Sequence, residues 1–285
     1  MRHTFPVSRI FLVAALFFGS HLDAQDPANA PVRPAVQFQL VSGFLVVVNG
    51  QVGELDGLKF IVDTGASFTL IDRKVADKLK LPRRPGKVTN FDRDAAVDWA
   101  VVPDLRIGSL RTGALRVMVA KLRDYSEYAE NVDGVIGLDV LSRSNKLFID
   151  YEKHSISWEL AADRDLGNLS PMYFAIPFIV QGFPMRLIID TGFQGILLYK
   201  DRLRKGLPEM QTQGEATEVD IGRLQTTRVK LPGVRLGGSQ TVATVFLMDA
   251  PENGRPPGAD GYLGIDSLKA KRVEFDFAGK MLRWE

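Results

Sequence analysis

Residues 60–67 read FIVDTGAS and residues 187–195 read LIIDTGFQG, so an apolar run leading into Asp-Thr-Gly occurs twice in this chain of 285 residues. One Asp-Thr-Gly is weak evidence, because Asp and Gly are common turn residues and three-letter matches arise by chance. The evidence becomes stronger because a second pair of motifs has the same spacing as the first. Asp63 and Asp190 are 190 − 63 = 127 residues apart, and Gly137 of DGVIGLDVL and Gly264 of DGYLGIDSL share that interval.

The repeat extends well beyond these two motifs. LRIG at 105–108 matches VRLG at 234–237, and LFIDYEKHSISWE at 147–159 matches VEFDFAGKMLRWE at 273–285. Four elements recurring in the same order indicate a duplication of one structural unit.

The repeat and the turn-rich segments around it predict the domain organisation. Residues 36–160 form the N-terminal lobe, and residues 173–285 form the C-terminal lobe, with a linker at 161–172. Each lobe reads as mainly β, because short apolar and β-branched runs alternate with Gly, Asn, Asp and Pro. A helix is predicted at RKVADKLKL, capped by Asp72, and a weaker one at DRLRKGL. We interpret Asp139 and Asp266 as caps of short helical turns.

Residues 1–24 resemble an export signal, because Arg2 and Arg9 precede the short apolar run IFLVAALFF and Ala24 ends a cleavage site. A membrane anchor is the alternative, but a spanning helix needs about 20 apolar residues. We therefore expect a periplasmic or secreted protein with a Pro- and Ala-rich leader at residues 25–35 and no stable membrane insertion after cleavage.

Composition excludes several chemistries. The chain has no cysteine, which removes thiol nucleophiles and thiolate metal sites. His3 and His21 fall in the predicted signal, which leaves only His154, read as a turn residue, for any triad. A formal charge of +2 favours no nucleic-acid partner. Carboxylates remain as the candidate catalytic groups, and no metal or other cofactor is expected.

Two lobes that each carry Asp-Thr-Gly and then VIG (135–137) or YLG (262–264) resemble the aspartic peptidases. DGVIGLDVL followed by LFIDYEKHSISW is similar to the retropepsin-like domains of bacterial exported proteins. The resemblance implies two retropepsin-like lobes facing across a central cleft. It also implies that one β-hairpin flap per lobe covers the cleft, for which we assign Val88–Val102 and Thr217–Val229.

The resemblance implies that Asp63 and Asp190 form a catalytic dyad. Two close carboxylates cannot both ionise, so they share a proton and can activate a water without a covalent intermediate. The predicted function is therefore exported endopeptidase activity on a peptide or protein substrate, by a monomer. The support residues of the two loops are Thr64, Gly65, Thr191 and Gly192, and the expected substrate contacts are Ala66, Ser67, Phe193 and Gln194.

Two residues depart from the family pattern. Ala66 follows the first motif as in retroviral-type enzymes, whereas Phe193 stands where a small residue is expected. Without a hydroxyl donor at this position, the dyad is expected to bind its proton more tightly and to work at a less acidic pH than stomach-type enzymes. Phe193 is a core contact, a wall of the cleft or an obstruction. The alternative function is a catalytically silent peptide-binding module on the same scaffold.

Overall fold

The computed structural model describes residues 34–90, 93–122, 131–160, 173–202, 213–221, 224–236, 239–249 and 256–285. The predicted signal peptide, all but two residues of the leader, and the linker lie outside these ranges. Among the described residues, no helix has the length and apolar character needed to cross a membrane.

The described residues of the N-terminal lobe form strands and two short α-helices, which confirms its mainly β character. Its strands are β1 (Ala35–Val41), β2 (Leu45–Val52), β3 (Leu55–Val62), β4 (Leu70–Asp72), β5 (Arg84–Asn90), β6 (Arg93–Val102), β7 (Leu105–Ile107), β8 (Leu110–Arg111), β9 (Leu115–Ala120), β10 (Gly134–Ile136), β11 (Ser144–Asp150) and β12 (Ser155–Leu160). Its helices are α1 (Arg73–Lys78) and α2 (Leu138–Leu141).

The C-terminal lobe repeats this order of elements, as the duplication predicts. Its strands are β13 (Ala175–Val180), β14 (Phe183–Asp190), β15 (Ile196–Tyr199), β16 (Gln213–Ile221), β17 (Leu224–Leu236), β18 (Ser239–Met248), β19 (Gly261–Gly264), β20 (Arg272–Asp276) and β21 (Met281–Trp284). A 3₁₀ turn at Ile265–Leu268 occupies the place of α2. Residues 200–202 are helical, and the remainder of the helix predicted at DRLRKGL lies outside the described residues.

The same strand pairing surrounds the motif aspartate in both lobes. In the N-terminal lobe, β10 runs parallel to β3 and antiparallel to β4. In the C-terminal lobe, β19 runs parallel to β14 and antiparallel to β15. The repeated glycine strands VIG and YLG therefore lie between the strand that enters each Asp-Thr-Gly and the strand that leaves it.

Alternate residues on the strands before each aspartate point in opposite directions. Phe60 and Val62 in β3, like Leu187 and Ile189 in β14, lie in the large core cluster. The residues between them, Ile61 and Ile188, belong instead to two separate smaller clusters. Because side chains alternate along a strand, Asp63 and Asp190 project on the same side as Ile61 and Ile188, away from the main core.

The closing segments of the two repeats pair with each other. Strand β11 is antiparallel to β20, with Leu147 opposite Phe275 and both side chains fully buried. Strand β12 then pairs with β11, and β21 with β20. The lobe boundaries stay predictions, with β12 ending at Leu160 and β13 beginning at Ala175.

The predicted cap of α1 is confirmed, because the Lys74 backbone N–H donates to the side chain of Asp72 at 2.9 Å. The interpretation of Asp139 and Asp266 as caps is wrong. Gly137 and Gly264 occupy the two cap positions, and neither helical element has a side-chain cap. Each aspartate lies two residues beyond its glycine, and its carboxylate reaches across to the loop that follows Asp-Thr-Gly.

The two segments expected to form flaps are hairpins. In the N-terminal lobe β5 pairs with β6, and in the C-terminal lobe β16 pairs with β17. The residues at both tips, 91–92 and 222–223, lie outside the described ranges. Both hairpins extend the sheet of their lobe outward from a later strand, β9 in the N-terminal lobe and β18 in the C-terminal lobe.

Candidate active site

The fold brings Asp63 and Asp190 together, and their carboxyl groups hydrogen-bond to each other. Asp63 is half-buried, and Asp190 is buried with 6% of its surface exposed. Each aspartate stands at the C-terminal end of the strand that enters its motif. The two residues that the sequence pairs by repetition are therefore in direct contact.

Backbone N–H groups hold both carboxylates in the same way. Gly65 and Ala66 donate to Asp63 Oδ1 at 2.8 and 3.0 Å. Gly192 donates to Asp190 Oδ1 at 2.7 Å. These donors fix the orientation of each carboxylate and favour its ionised form, which opposes the effect of burial.

The two motif threonines bind across the lobes in a reciprocal pattern. The Thr64 hydroxyl donates to the Ile189 carbonyl at 2.7 Å and accepts from the Thr191 backbone N–H at 3.2 Å. The Thr191 hydroxyl donates to the Val62 carbonyl at 2.7 Å and accepts from the Thr64 N–H at 3.0 Å. Both side chains are fully buried, so these four bonds connect the two loops without competition from solvent.

The motif glycines leave room for the opposite carboxylate. A Cβ atom added to Gly192 would lie 2.7 Å from Asp63 Cγ, and one added to Gly65 would overlap the Asp190 carboxylate. Any side chain at either position would therefore separate the two aspartates.

The strand glycines Gly137 and Gly264 are restricted in the same way. A Cβ at Gly137 would lie 2.9 Å from the Ala66 carbonyl oxygen, and one at Gly264 would overlap the Phe193 carbonyl oxygen. Both strands pass directly against the loops, as the repeated VIG and YLG predict.

The environment of the dyad raises the pKa of both carboxyl groups. Burial is the largest cause for Asp63, and its hydrogen bonds from Gly65 and Ala66 only partly offset it. Burial also comes first for Asp190, and the charge of Asp63 raises the pKa of Asp190 further. Like charges in contact cannot both ionise, so the pair retains one proton to a higher pH than a solvated aspartate would.

Asp139 and Asp266 support the loops that follow the two motifs. Sequence reasoning missed this role. The Thr69 hydroxyl donates to Asp139 Oδ1 at 2.7 Å and accepts from the Gly137 N–H at 3.1 Å. In the C-terminal lobe, the Gly195 N–H donates to Asp266 Oδ1 at 3.0 Å. The recurrence of Asp two residues after each glycine was the available signal.

The residues predicted to contact substrate differ in exposure. Ala66 and Ser67 are half-buried and Gln194 is exposed. Phe193 is half-buried and packs against the smaller cluster of the C-terminal lobe, which includes Ile188 and Tyr262. That position corresponds to the core-contact interpretation of Phe193, while the substrate contacts of all four residues stay predictions.

Tyr262 is a second residue near the site that sequence reasoning did not single out. It stands where the N-terminal lobe has Val135, because both pair with the isoleucine that precedes the aspartate by two positions. Burial raises the pKa of Tyr262 well above its usual value, and Tyr199 and Asp190 add to the rise. The difference between VIG and YLG was the signal for this asymmetry.

Comparison with known proteins gave one family-model match, which lies within the N-terminal lobe. Residues 46–140, which include Asp63 and Gly137, match the family model described as aspartyl protease. The resemblance drawn from the sequence is thereby confirmed. A search of curated protein sequences gave no significant match.

Two solved structures with similar folds are both aspartic proteases. An aspartic proteinase from Irpex lacteus has 17% identity and a TM-score of 0.48, with 87% of this chain and 95% of that chain covered. A retropepsin-like aspartic protease from Rickettsia conorii has 19% identity and a TM-score of 0.31, with 45% of this chain and 90% of that chain covered.

Proposed function

We propose that this chain, whose N-terminal lobe has an aspartyl protease domain and whose second lobe repeats its motifs, is an aspartic endopeptidase that uses Asp63 and Asp190 together. The observation that carries the proposal is the hydrogen-bonded contact between these two carboxyl groups, each supported by the same loop geometry. One lobe alone supplies a single carboxyl, and general acid–base hydrolysis needs a base and an acid together.

The proposed mechanism uses one shared proton. The ionised carboxylate takes a proton from a water held between the two aspartates, and that water attacks the peptide carbonyl carbon. The protonated carboxyl donates its proton to the carbonyl oxygen, which gives a neutral tetrahedral diol. The carboxyl that now holds the proton gives it to the amide nitrogen, and the C–N bond breaks. The ionised carboxylate takes a proton from a diol hydroxyl, which restores a singly protonated dyad as the two products leave.

The loops contribute by keeping the two acids fixed in position. The four threonine bonds and the N–H groups of Gly65 and Gly192 leave the carboxylates little freedom to rotate. A fixed dyad needs little reorganisation as charge moves in the transition state. The sequence features of residues 1–24 further lead us to place the protein outside the cytoplasm, in the periplasm or secreted.

The first experiment compares Asp63→Asn and Asp190→Asn with the wild-type protein on an unfolded protein mixture between about pH 3 and pH 7, a range that extends well above the pKa of a solvated aspartate. Each variant is expected to lose at least about 1,000-fold of cleavage, because an amide neither accepts nor shuttles the proton. Wild-type cleavage should be blocked by a peptide that mimics the tetrahedral intermediate.

The matched control is Asp56→Asn, which removes an exposed carboxylate on β3 and should leave cleavage unchanged. Full activity in either dyad variant would exclude that aspartate from the mechanism. Tight binding of the inhibitor by the wild-type protein without any cleavage would instead identify a silent peptide-binding module.

A further inference from the structure

The face of the N-terminal sheet that carries Asp63 ends in basic side chains. Starting at Ile61, a row of directly opposed residues crosses six strands of the sheet to the outer edge of the hairpin. Residues opposite each other on neighbouring strands share one face of a sheet, so this row lies on the side of the dyad. Its members, in order, are Ile61, Val135, Leu70, Met118, Trp99 and Arg84.

Arg116 joins the same face, because it lies two residues before Met118 on β9. Its guanidinium carbon is 4.1 Å from the centroid of the Trp99 ring. The same indole is in edge-to-face contact with Phe68, at 5.3 Å between ring centroids. Phe68 is on the loop that continues from Asp63, so the arginine–tryptophan pair adjoins the catalytic loop.

The C-terminal lobe has a corresponding row. From Ile188 it passes through Tyr262, Leu197 and Phe246 to Arg228, with each residue directly opposite the next. By this pairing, Arg228 takes the place of Trp99, and Phe246 takes that of Met118. Lys230 follows on the same face, two residues along β17. An aromatic ring and a cation therefore occur together in both rows.

These four basic side chains are available to a ligand. Arg84, Arg116, Arg228 and Lys230 are all exposed. Within the described ranges, none of the four forms an ion pair. Asp98, the acid nearest to Trp99 in sequence, lies on the opposite face of β6 and is 4.0 Å from Arg73. The outer parts of both rows thus carry positive charge, and no ion pair between side chains that the structure describes neutralises it.

We infer, on the basis of the proposed peptidase function, that the cleft selects peptides with acidic side chains on both sides of the scissile bond. Arg84 and Arg116 would bind a Glu or Asp side chain over the N-terminal lobe, and Arg228 and Lys230 over the C-terminal lobe. A near-neutral chain with a formal charge of +2 has no general attraction for acidic peptides, so the preference is local to this face.

The distance from the dyad sets where the acids should lie. Four strand spacings of about 4.8 Å separate β3 from β6, so Trp99 is at most about 19 Å from Ile61. An extended peptide covers that length in about six residues. The acidic positions are therefore expected within about six residues of the scissile bond. The two residues that form this bond are not among them.

The test uses the full chain and begins with its cleavage sites in an unfolded protein mixture. A peptide around the best site is then made in three forms, with Glu, Gln or Lys at positions three to five on each side. At about pH 5.5, where Glu is ionised, kcat/KM should fall in the order Glu, Gln, Lys. The kcat/KM should differ between successive peptides by roughly two- to five-fold for each arginine that contacts the substituted side chain. About 0.5 M salt should reduce this difference.

Two variants and a control localise the effect. Arg116→Gln and Arg228→Gln should each lower the kcat/KM of the Glu peptide relative to that of the Gln peptide. In the double variant the two values should be nearly equal. Cleavage of the Gln peptide by each variant measures any general loss of activity, so only the ratio of the two kcat/KM values reports the preference for acid. Arg111→Gln on β8, which pairs only with β7, removes an exposed arginine outside both rows and should leave the ratio unchanged.

The outcomes separate this inference from the proposed function. Equal cleavage of the three peptides, or a preference that both arginine variants retain, would overturn the inference while the peptidase function stood. If no peptide is cleaved, fluorescence anisotropy of the labelled Glu and Lys peptides with Asp63→Asn measures the preference without catalysis. Equal affinity for the Glu and Lys peptides in that measurement would also overturn the inferred preference for acidic substrates.

Discussion

At the scale of single residues, the two motif aspartates show what a sequence can and cannot predict. Their identity and partnership follow from a repeat of 190 − 63 = 127 residues. The sequence also led us to expect tighter proton binding, because neither lobe places a hydroxyl after Asp-Thr-Gly. The structure gives the same direction for both pKa values, but through burial and the contact between the two carboxyl groups. Burial of a given side chain is not visible in the local sequence.

The raised pKa of Asp190 has a consequence for stability. A carboxyl whose pKa is higher in the folded state than in the unfolded state favours folding when protonated, and this contribution is lost as pH rises through the folded-state pKa. Asp190→Asn removes that ionisation. We therefore expect the melting temperature of this variant, relative to the wild type, to increase from about pH 4 to pH 7, since an unfolded Asp titrates near 3.9.

Scanning calorimetry at several pH values measures this difference directly. Asp56→Asn serves as the control, because its carboxylate is exposed and lies outside the dyad. A melting-temperature difference for Asp190→Asn that is constant across the range, or that shrinks towards neutral pH, would contradict the raised pKa.

At the scale of secondary-structure elements, strands and hairpins were predictable and the role of the acidic residues beside the short helices was not. The resemblance to aspartic peptidases implied one flap hairpin per lobe, and the hairpins β5–β6 and β16–β17 lie in the assigned segments. Asp139 fitted a local capping pattern, but its partner Thr69 is 70 residues away in sequence. A local pattern contains no information about a partner at that separation.

The corrected role of Asp139 predicts how it tolerates substitution. Asparagine keeps an oxygen that can accept from the Thr69 hydroxyl, so Asp139→Asn should stay within about 0.5 kcal/mol of the wild type in free energy of unfolding. Serine is a good helix cap but is too short to reach Thr69. Asp139→Ser should lose about 1–2 kcal/mol, because the fully buried Thr69 hydroxyl would then lack its acceptor.

Urea unfolding at neutral pH compares the two variants. Activity should follow the same order, since Thr69 also accepts from the Gly137 N–H behind the catalytic loop. Equal stability of the serine variant and the wild type would restore the capping interpretation.

At the scale of the whole molecule, the duplication predicted two lobes but not how they are joined. The threonine bonds connect the lobes at the motif loops, and β11 pairs with β20 at the closing segments. The repeat places these strands at equivalent positions in the two copies, yet it does not say that they pair with each other. Pairing between copies depends on packing over the whole fold.

Because one chain provides both aspartates, catalysis should not require a second copy. We expect specific activity to stay constant when the protein is diluted about 100-fold, whereas an enzyme assembled from two chains loses activity as its subunits separate. Steady-state rates from micromolar to nanomolar enzyme, together with the mass from sedimentation, test this. A specific activity that falls with dilution would indicate that the working unit is a dimer.

The difference in size between the equivalent residues Val135 and Tyr262 has a consequence for how a peptide would lie in the cleft. A peptide has a direction, from its amino end to its carboxyl end. Two identical halves related by a twofold axis would accept both directions equally. Here the small side chain of Val135 in one lobe corresponds to the bulky phenol of Tyr262 in the other. A peptide bound in the reverse direction would therefore meet different surroundings on each side. Under the proposed function, this difference between the lobes would let the molecule distinguish the segment before a cut from the segment after it.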